Sequence, residues 1–225
     1  GHADHGWLNA HHSFSFASWY DPSRVHFGML RVLNDDIVAG GQGFGTHPHN
    51  DMEIITIILK GALEHKDNMG NGSVIRPGDV QVMSAGTGVM HSEFNPSKDE
   101  ATNLFQLWIF PKEKGIKPSY DQRTFDINDR KNKIQTVVSG FKTGDELYIH
   151  QDADISLSDL DKGTELKYAM KSKENGAYIM VINGAVEIEG QKLQQRDAIG
   201  VWENENVSIK ASENAEIIII EVPMN

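Results

Sequence analysis

Apolar and polar positions alternate along most of this chain in short runs, separated by turn residues. Ile54 to Leu59 is β-branched and apolar throughout, the pattern of a strand buried on both faces. Lys60-Gly61 ends it, and Ala62 to Lys66 follows. Asp67-Asn68-Met69-Gly70-Asn71-Gly72 supplies a hairpin turn with two glycines able to take φ > 0. Arg76-Pro77-Gly78-Asp79 and Gly86-Thr87-Gly88 are further turns. Between and beyond them lie strands from Val80 to Ser84, from Val89 to Phe94 and from Asn103 to Phe110, with a short apolar run upstream at Met29 to Leu33. Strands every 8–12 residues or so, with turn signals between them, predict a sandwich or small barrel.

The pattern recurs. Ile179 to Glu187 echoes Ile57 to Glu64, Gln195-Arg196-Asp197 echoes the turn ending at Asp79, and Ile217 to Pro223 echoes Leu107 to Pro111. This predicts an all-β chain of two barrels in tandem, over residues 1–125 and 126–225. Residues 112–133 hold seven Lys and Arg against four Asp and Glu, and are expected to form a solvated connector. Leu157 to Asp161, after Ser156, is expected to make a single helical turn.

Composition narrows the function. The chain has 225 residues and a formal net charge of −11, which opposes non-specific binding to nucleic acid or anionic lipid. It has no Cys, so a disulfide framework, a thiol nucleophile and cysteine-held metal sites are excluded. The longest apolar runs are far short of a membrane span, and no secretory segment opens the chain. A cytoplasmic protein is expected. The first residue is Gly1, not Met, so the start is expected to be missing, processed or added.

The ten His residues carry the chemistry. In a strand, residues two apart share a face, so His47-Pro48-His49 and His91-Ser92-Glu93 each offer two ligands to one point inside a barrel. Imidazole and carboxylate suit divalent Fe, Ni, Co, Cu, Mn or Zn. Three His and one Glu leave coordination positions open, as a catalytic site requires.

Gly41-x5-His47-x-His49-x3-Glu53 resembles the first motif of the cupins. Gly78 through Gly88-x2-His91-x3-Asn95 resembles the second. More narrowly, Gly43 to Glu53, Arg76 to Asp79 and Ser84 to Glu93 resemble the pirin family, as do His11 to Pro22 and Leu30 to Asp36. The likeness is close over residues 1–125 and looser beyond, and the length is similar to that of the bacterial pirin-like quercetinases. The resemblance implies two cupin (double-stranded β-helix) barrels, with one divalent metal ion in the first and none in the second. His47, His49, His91 and Glu93 are its implied ligands. It also implies a dioxygenase that opens flavonols such as quercetin with O₂ and releases carbon monoxide, with Glu93 as the proton acceptor. The expected partners are a small polyphenol and O₂, with neither nucleic acid nor membrane. Two other readings stay open: a metal-binding regulatory protein without turnover, as among longer pirins, and a cupin isomerase or hydrolase.

Several residues have plainer readings. Glu53 falls where many cupins place a carboxylate ligand, and along an unbroken strand its parity matches His47 and His49. The pirin resemblance favours Glu93, leaving Glu53 to orient a His ring or to sit buried and hydrogen-bonded. Gly40 to Gly45 lacks the spacing and helix of a nucleotide loop and is expected to bend the backbone close to the site. His2, His5, His11 and His12 make ordinary polar contacts, and His65 is expected at the surface. Met83 and Met90 are core filler. The expected pocket walls are Ile55, Ile57, Val82, Met90 and the region of Trp108.

Overall fold

A computed structural model describes residues 1–141 and 144–225. Among them nearly all the regular secondary structure is strand, and the chain divides into two compact units. The first holds Gly1–His26, Leu30–Phe125 and Ile149–Gln151; the second holds Phe27–Met29, the described part of 126–148, and Asp152–Asn225. No described helix is long and apolar enough to cross a membrane.

The first unit contains β1 (His2–Asp4), β2 (Leu8–His12), β3 (Leu30–Val38), β4 (Gly43–His49), β5 (Glu53–Lys60) and β6 (Leu63–Asp67). It continues with β7 (Gly72–Ile75), β8 (Asp79–Ser84), β9 (Val89–Phe94), β10 (Thr102–Ile109) and β11 (Ser119–Thr124). One sheet runs β1-β2-β3-β10-β5-β8-β11, and the other β4-β9-β6-β7. Every pairing between these strands is antiparallel.

The second unit contains β12 (Gln135–Ser139), β13 (Leu147–Tyr148), β14 (Asp154–Leu160), β15 (Glu165–Ala169) and β16 (Asn175–Asn183). It ends with β17 (Ala185–Ile188), β18 (Gln191–Gln194), β19 (Ala198–Trp202), β20 (Asn206–Ala211) and β21 (Ala215–Pro223). Its sheets run β13-β12-β14-β21-β16-β19 and β15-β20-β17-β18. The order β3-β10-β5-β8 over β4-β9-β6-β7 thus recurs as β14-β21-β16-β19 over β15-β20-β17-β18. This is one cupin topology used twice.

Two glycines mark the repeat. Gly61 after β5 has φ 81°, and Gly184 after β16 has φ 76°. A Cβ at Gly61 would lie 2.7 Å from Thr102 Oγ1, and one at Gly184 would lie 2.0 Å from the Asn214 carbonyl. Each turn therefore needs glycine both for its backbone angle and for the close approach of the next strand. This alignment matches Asp79 to Asp197 as expected, but sets Ile217 against Leu104 and not against Leu107.

Three local expectations are corrected. Leu157 to Leu160 belongs to strand β14, paired on one side with β21 and on the other with β12. A lone helical turn gains too few hydrogen bonds to compete with a two-sided ladder. The connector is not solvated throughout. Ser119–Thr124 is β11, paired with β8 so that Tyr120 lies opposite Met83. His65 is fully buried, because it shares the inward face of β6 with Leu63.

Inside the first unit, polar residues are sandwiched between two apolar clusters. Leu63, Ile75, Ile58, Leu104 and Val38 fill one end, and Ile54, Met83, Ala85 and Val89 the other. Between them, adjacent strands place Asn34, Gln106, Thr56 and Gln81 opposite one another in a single row.

Candidate metal centre

Strand β9 alternates cleanly: Val89, His91 and Glu93 are buried, whereas Met90 and Phe94 are exposed. His91 and Glu93 therefore point inward. The opposite donors come from β4, an edge strand that pairs only with β9, so Pro48 costs no ladder hydrogen bond on its free side. His47 lies directly opposite His91. One extra residue between Phe44 and His47 bulges the strand and resets its alternation. Phe44, His47 and His49 consequently all line one cavity. Gly43 is required here, since a Cβ would lie 2.2 Å from the Glu93 carbonyl. The glycine-rich bend does bring backbone close to the site.

His47 Nε2 and His91 Nε2 are 3.0 Å apart. The His49 ring centroid is 4.8 Å from that of His47 and 4.9 Å from that of His91. Burial lowers His49 to a pKa of about 4, with His47 adding to it. Burial lowers His91 to about 3, helped by His47, His49 and His65. Both rings are therefore neutral near pH 7, the form that ligates metal. His47 Nδ1 lies 2.7 Å from the Gly45 carbonyl. A carbonyl only accepts, so Nδ1 carries a proton, and Nε2 is the nitrogen that faces His91.

Glu93 is held by Gln106 Nε2, which donates at 3.1 and 3.3 Å, and at longer range by Thr56 Oγ1, at 3.4 Å. Burial pushes its carboxyl above the usual range, partly offset by His65 and Gln106. Potential ligand atoms fall into two groups: His47, His49 and His91, and then His65, His91 and Glu93. The three predicted His thus come together. Glu93 meets them through His91 and lines the same cavity as His47 and His49.

Glu53 does not join them. β4 ends at His49 and β5 begins at Glu53 in the other sheet, so the parity argument for an unbroken strand fails. Glu53 is buried, accepts from Ser84 Oγ at 2.7 Å and has His150 Nδ1 3.6 Å away. Burial raises its pKa, opposed by Ser84 and His150.

The cavity is about 240 Å³. Its walls include Leu8, Ala10, Phe16, Phe44 and Trp108, with polar positions at His12, Asn34, Asp36 and Gln106. Of the expected walls only Trp108 takes part. Its ring stands edge-on to Phe16 and His49, with centroids 5.3 and 5.0 Å away. Ile55, Ile57 and Val82 alternate with the inward residues Ile54, Thr56, Gln81 and Met83, and so lie on the other face. Met90 is 38% exposed. His12 was missed as a wall residue. It is buried with Nδ1 2.9 Å from Asn34 Oδ1, and the alternation Leu8, Ala10, His12 was the available signal.

Asp36 is also buried, and its Oδ1 has no partner among the described residues. Burial raises its pKa to about 7, with Asp35 and Glu93 adding to the effect.

The family model described as pirin matches residues 1–109, and that of the quercetinase C-terminal cupin domain matches residues 136–222. Quercetin 2,3-dioxygenase of Escherichia coli (strain K12) is 44% identical over 223 residues, 99% of this chain and 95% of its own. A pirin-like protein of Caulobacter vibrioides is 45% identical over 98% of this chain and 95% of its own. The crystal structure of the E. coli bacterial pirin YhhW in complex with nickel(II) superposes with a TM-score of 0.93. It shares 43% identity and covers 99% of this chain and 95% of that one.

Proposed function

The chain belongs to the pirin family, and we propose that it is a metal-dependent dioxygenase opening flavonols such as quercetin with O₂ and releasing carbon monoxide. The observation that carries this reading is a buried carboxylate beside three converging imidazoles at the floor of an apolar cavity. The donor set fits a divalent transition ion. Two of its rings are held neutral by burial, His47 Nδ1 is held by the Gly45 carbonyl, and Glu93 is a buried acid with no Lys or Arg among its hydrogen-bond partners. His47, His49, His91 and Glu93 would hold the ion, one per chain. The relative solved with nickel(II) supports a metal here and leaves its identity in this chain open.

The chemistry a bound divalent ion supplies is stabilisation of a deprotonated enol oxygen and a place for O₂ to react. The protein's own groups do the rest. Glu93 accepts the enol proton. Gln106 fixes the carboxylate by donating to both of its oxygens. Phe16, Phe44 and Trp108 take the flat rings and exclude water.

The test is aerobic incubation of metal-loaded protein with quercetin, following flavonol loss, O₂ uptake and carbon monoxide together. O₂-dependent loss with release of carbon monoxide is expected. No loss with any of Fe, Ni, Co, Cu, Mn or Zn would overturn the reading.

A further inference from the structure

His91 makes contacts at both ring nitrogens, and one side has no role in the proposed chemistry. Its Nε2 faces His47. Its Nδ1 lies 3.5 Å from His65 Nδ1, and His65 Nε2 lies 3.2 Å from Asp67 Oδ2. His91 is buried, and the side chains of His65 and Asp67 are both 0% exposed. From these contacts we infer that Asp67 and His65 are positioning residues that lock His91 in the tautomer presenting its Nε2 lone pair to the cavity.

The argument follows the protons. A carboxylate only accepts, so His65 Nε2 carries the hydrogen and donates to Asp67. With its ring hydrogen at Nε2, His65 offers a lone pair at Nδ1. The facing His91 Nδ1 must carry the second hydrogen and donate it to His65. His91 Nε2 is left bare, facing His47 Nε2 3.0 Å away. The chain Asp67–His65–His91 therefore prepares one ligand, as the Gly45 carbonyl prepares the other. Ligating histidines generally need such a partner on the second nitrogen.

The surroundings hold the chain in place. Tyr120 stacks on the His65 ring, with centroids 4.7 Å apart and planes 26° from parallel. The Tyr120 hydroxyl is anchored by Ser73 and donates to Gln122. Asp67 is pinned in its hairpin by Met69 N, Asn71 N and Asn71 Nδ2, all within 3.0 Å. His65 is thus committed to Asp67 and His91, which argues against its serving as a ligand with Glu93.

The inference rests on the reading that His91 ligates metal, but its test does not need metal. In the metal-free protein, nitrogen-15 NMR of the imidazoles should show His91 protonated at Nδ1 alone. His65→Phe should turn His91 into a mixture of tautomers and weaken Ni(II) or Zn(II) binding about 10- to 100-fold in chelator competition. His65→Gln offers both an acceptor and a donor, and should restore the tautomer and most of the affinity. Circular dichroism confirms that each variant is folded. A parent His91 protonated at Nε2, or a folded His65→Phe with unchanged tautomer and affinity, overturns the inference. So does a Gln variant as weak as the Phe variant, which would make His65 a ligand. A locked tautomer in a parent that binds no metal would instead fail the reading of the previous subsection and leave the positioning role standing.

Discussion

Position by position, the inner faces of the two barrels correspond. The pairings Glu64 opposite Phe94 and Glu187 opposite Lys210 fix the register. His47 then matches Tyr168, His65 matches Ile188, His91 matches Val207 and Glu93 matches Ile209. Across the other sheet, Thr56, Gln106 and Gln81 match Ile179, Ile219 and Ile199. Of the second set all but Ile199 are buried, and all belong to or pack against one continuous apolar cluster. The same strand order therefore supports a polar interior in one barrel and a hydrocarbon one in the other. Each fully buried isoleucine contributes roughly 1.5–3 kcal/mol, so the second barrel gains stability that the first gives up.

The buried acids show the same contrast. Glu221, in the second barrel, accepts from Tyr168 Oη at 2.6 Å, Asn175 Nδ2 at 2.8 Å and Lys171 N at 2.8 Å. Burial and this carboxylate push the Tyr168 hydroxyl pKa upward. Glu221 is a structural acid with its lone pairs in use. Among the described residues Glu93 has only the longer contacts from Gln106 and Thr56, which leave it lone pairs to offer.

The strongest test of this contrast is to remove the first barrel's donors. His47→Ala or His91→Ala should abolish tight metal binding, and elemental analysis of the parent should find one ion per chain. The matching change in the second barrel, Val207→Ala, should leave metal content unchanged. A second equivalent of tightly bound ion that persists in both His variants would break the comparison.

Next in size is the reverse graft. Ile209→Glu places an acid at the counterpart of Glu93 with no Gln or Thr to receive it. It should cost about 3–5 kcal/mol near neutral pH, because a buried carboxyl without partners must take up a proton or open the fold. Urea unfolding of the metal-free chain measures this, and an unchanged midpoint would mean that the second barrel tolerates polarity as well as the first.

A smaller effect separates ligand from base. Glu93→Gln should lose turnover about 10²- to 10⁴-fold while keeping more of its metal, since an amide oxygen still ligates. Glu53→Gln should be milder on both counts. Turnover at the parent rate in Glu93→Gln would remove the proton-transfer role.

The smallest effect is pH-dependent stability. Asp36 has a folded pKa of about 7 against an ordinary value of 3.8. An acid raised in this way favours folding when protonated. Its contribution is complete below the ordinary value and is lost as pH rises through about 7. The metal-free parent should therefore lose more thermal stability between pH 4 and pH 8 than Asp36→Asn, by a few degrees in Tm. Equal slopes would show that Asp36 is not held protonated.

The strand periodicity, the doubled cupin pattern and the His pairs are legible in the order of residues alone. All of these are local: i, i+2 alternation on β9 puts His91 and Glu93 on one face whatever surrounds them, and Gly61 and Gly184 mark their turns by backbone need. Tertiary structure decided what alternation cannot carry across a break or a bulge. The end of β4 at His49 removed Glu53 from the site, and the extra residue before His47 brought Phe44 into the cavity. Burial of His65 depended on β6 lying between β7 and β9, and on β11 laying Tyr120 over its ring. Much of the cavity wall came from β2 and β3, and the alternation that turns His12 inward carries no sign of which strands it will face. Spacing along the chain sets which way a side chain points, and only the packing of distant strands sets what it points at.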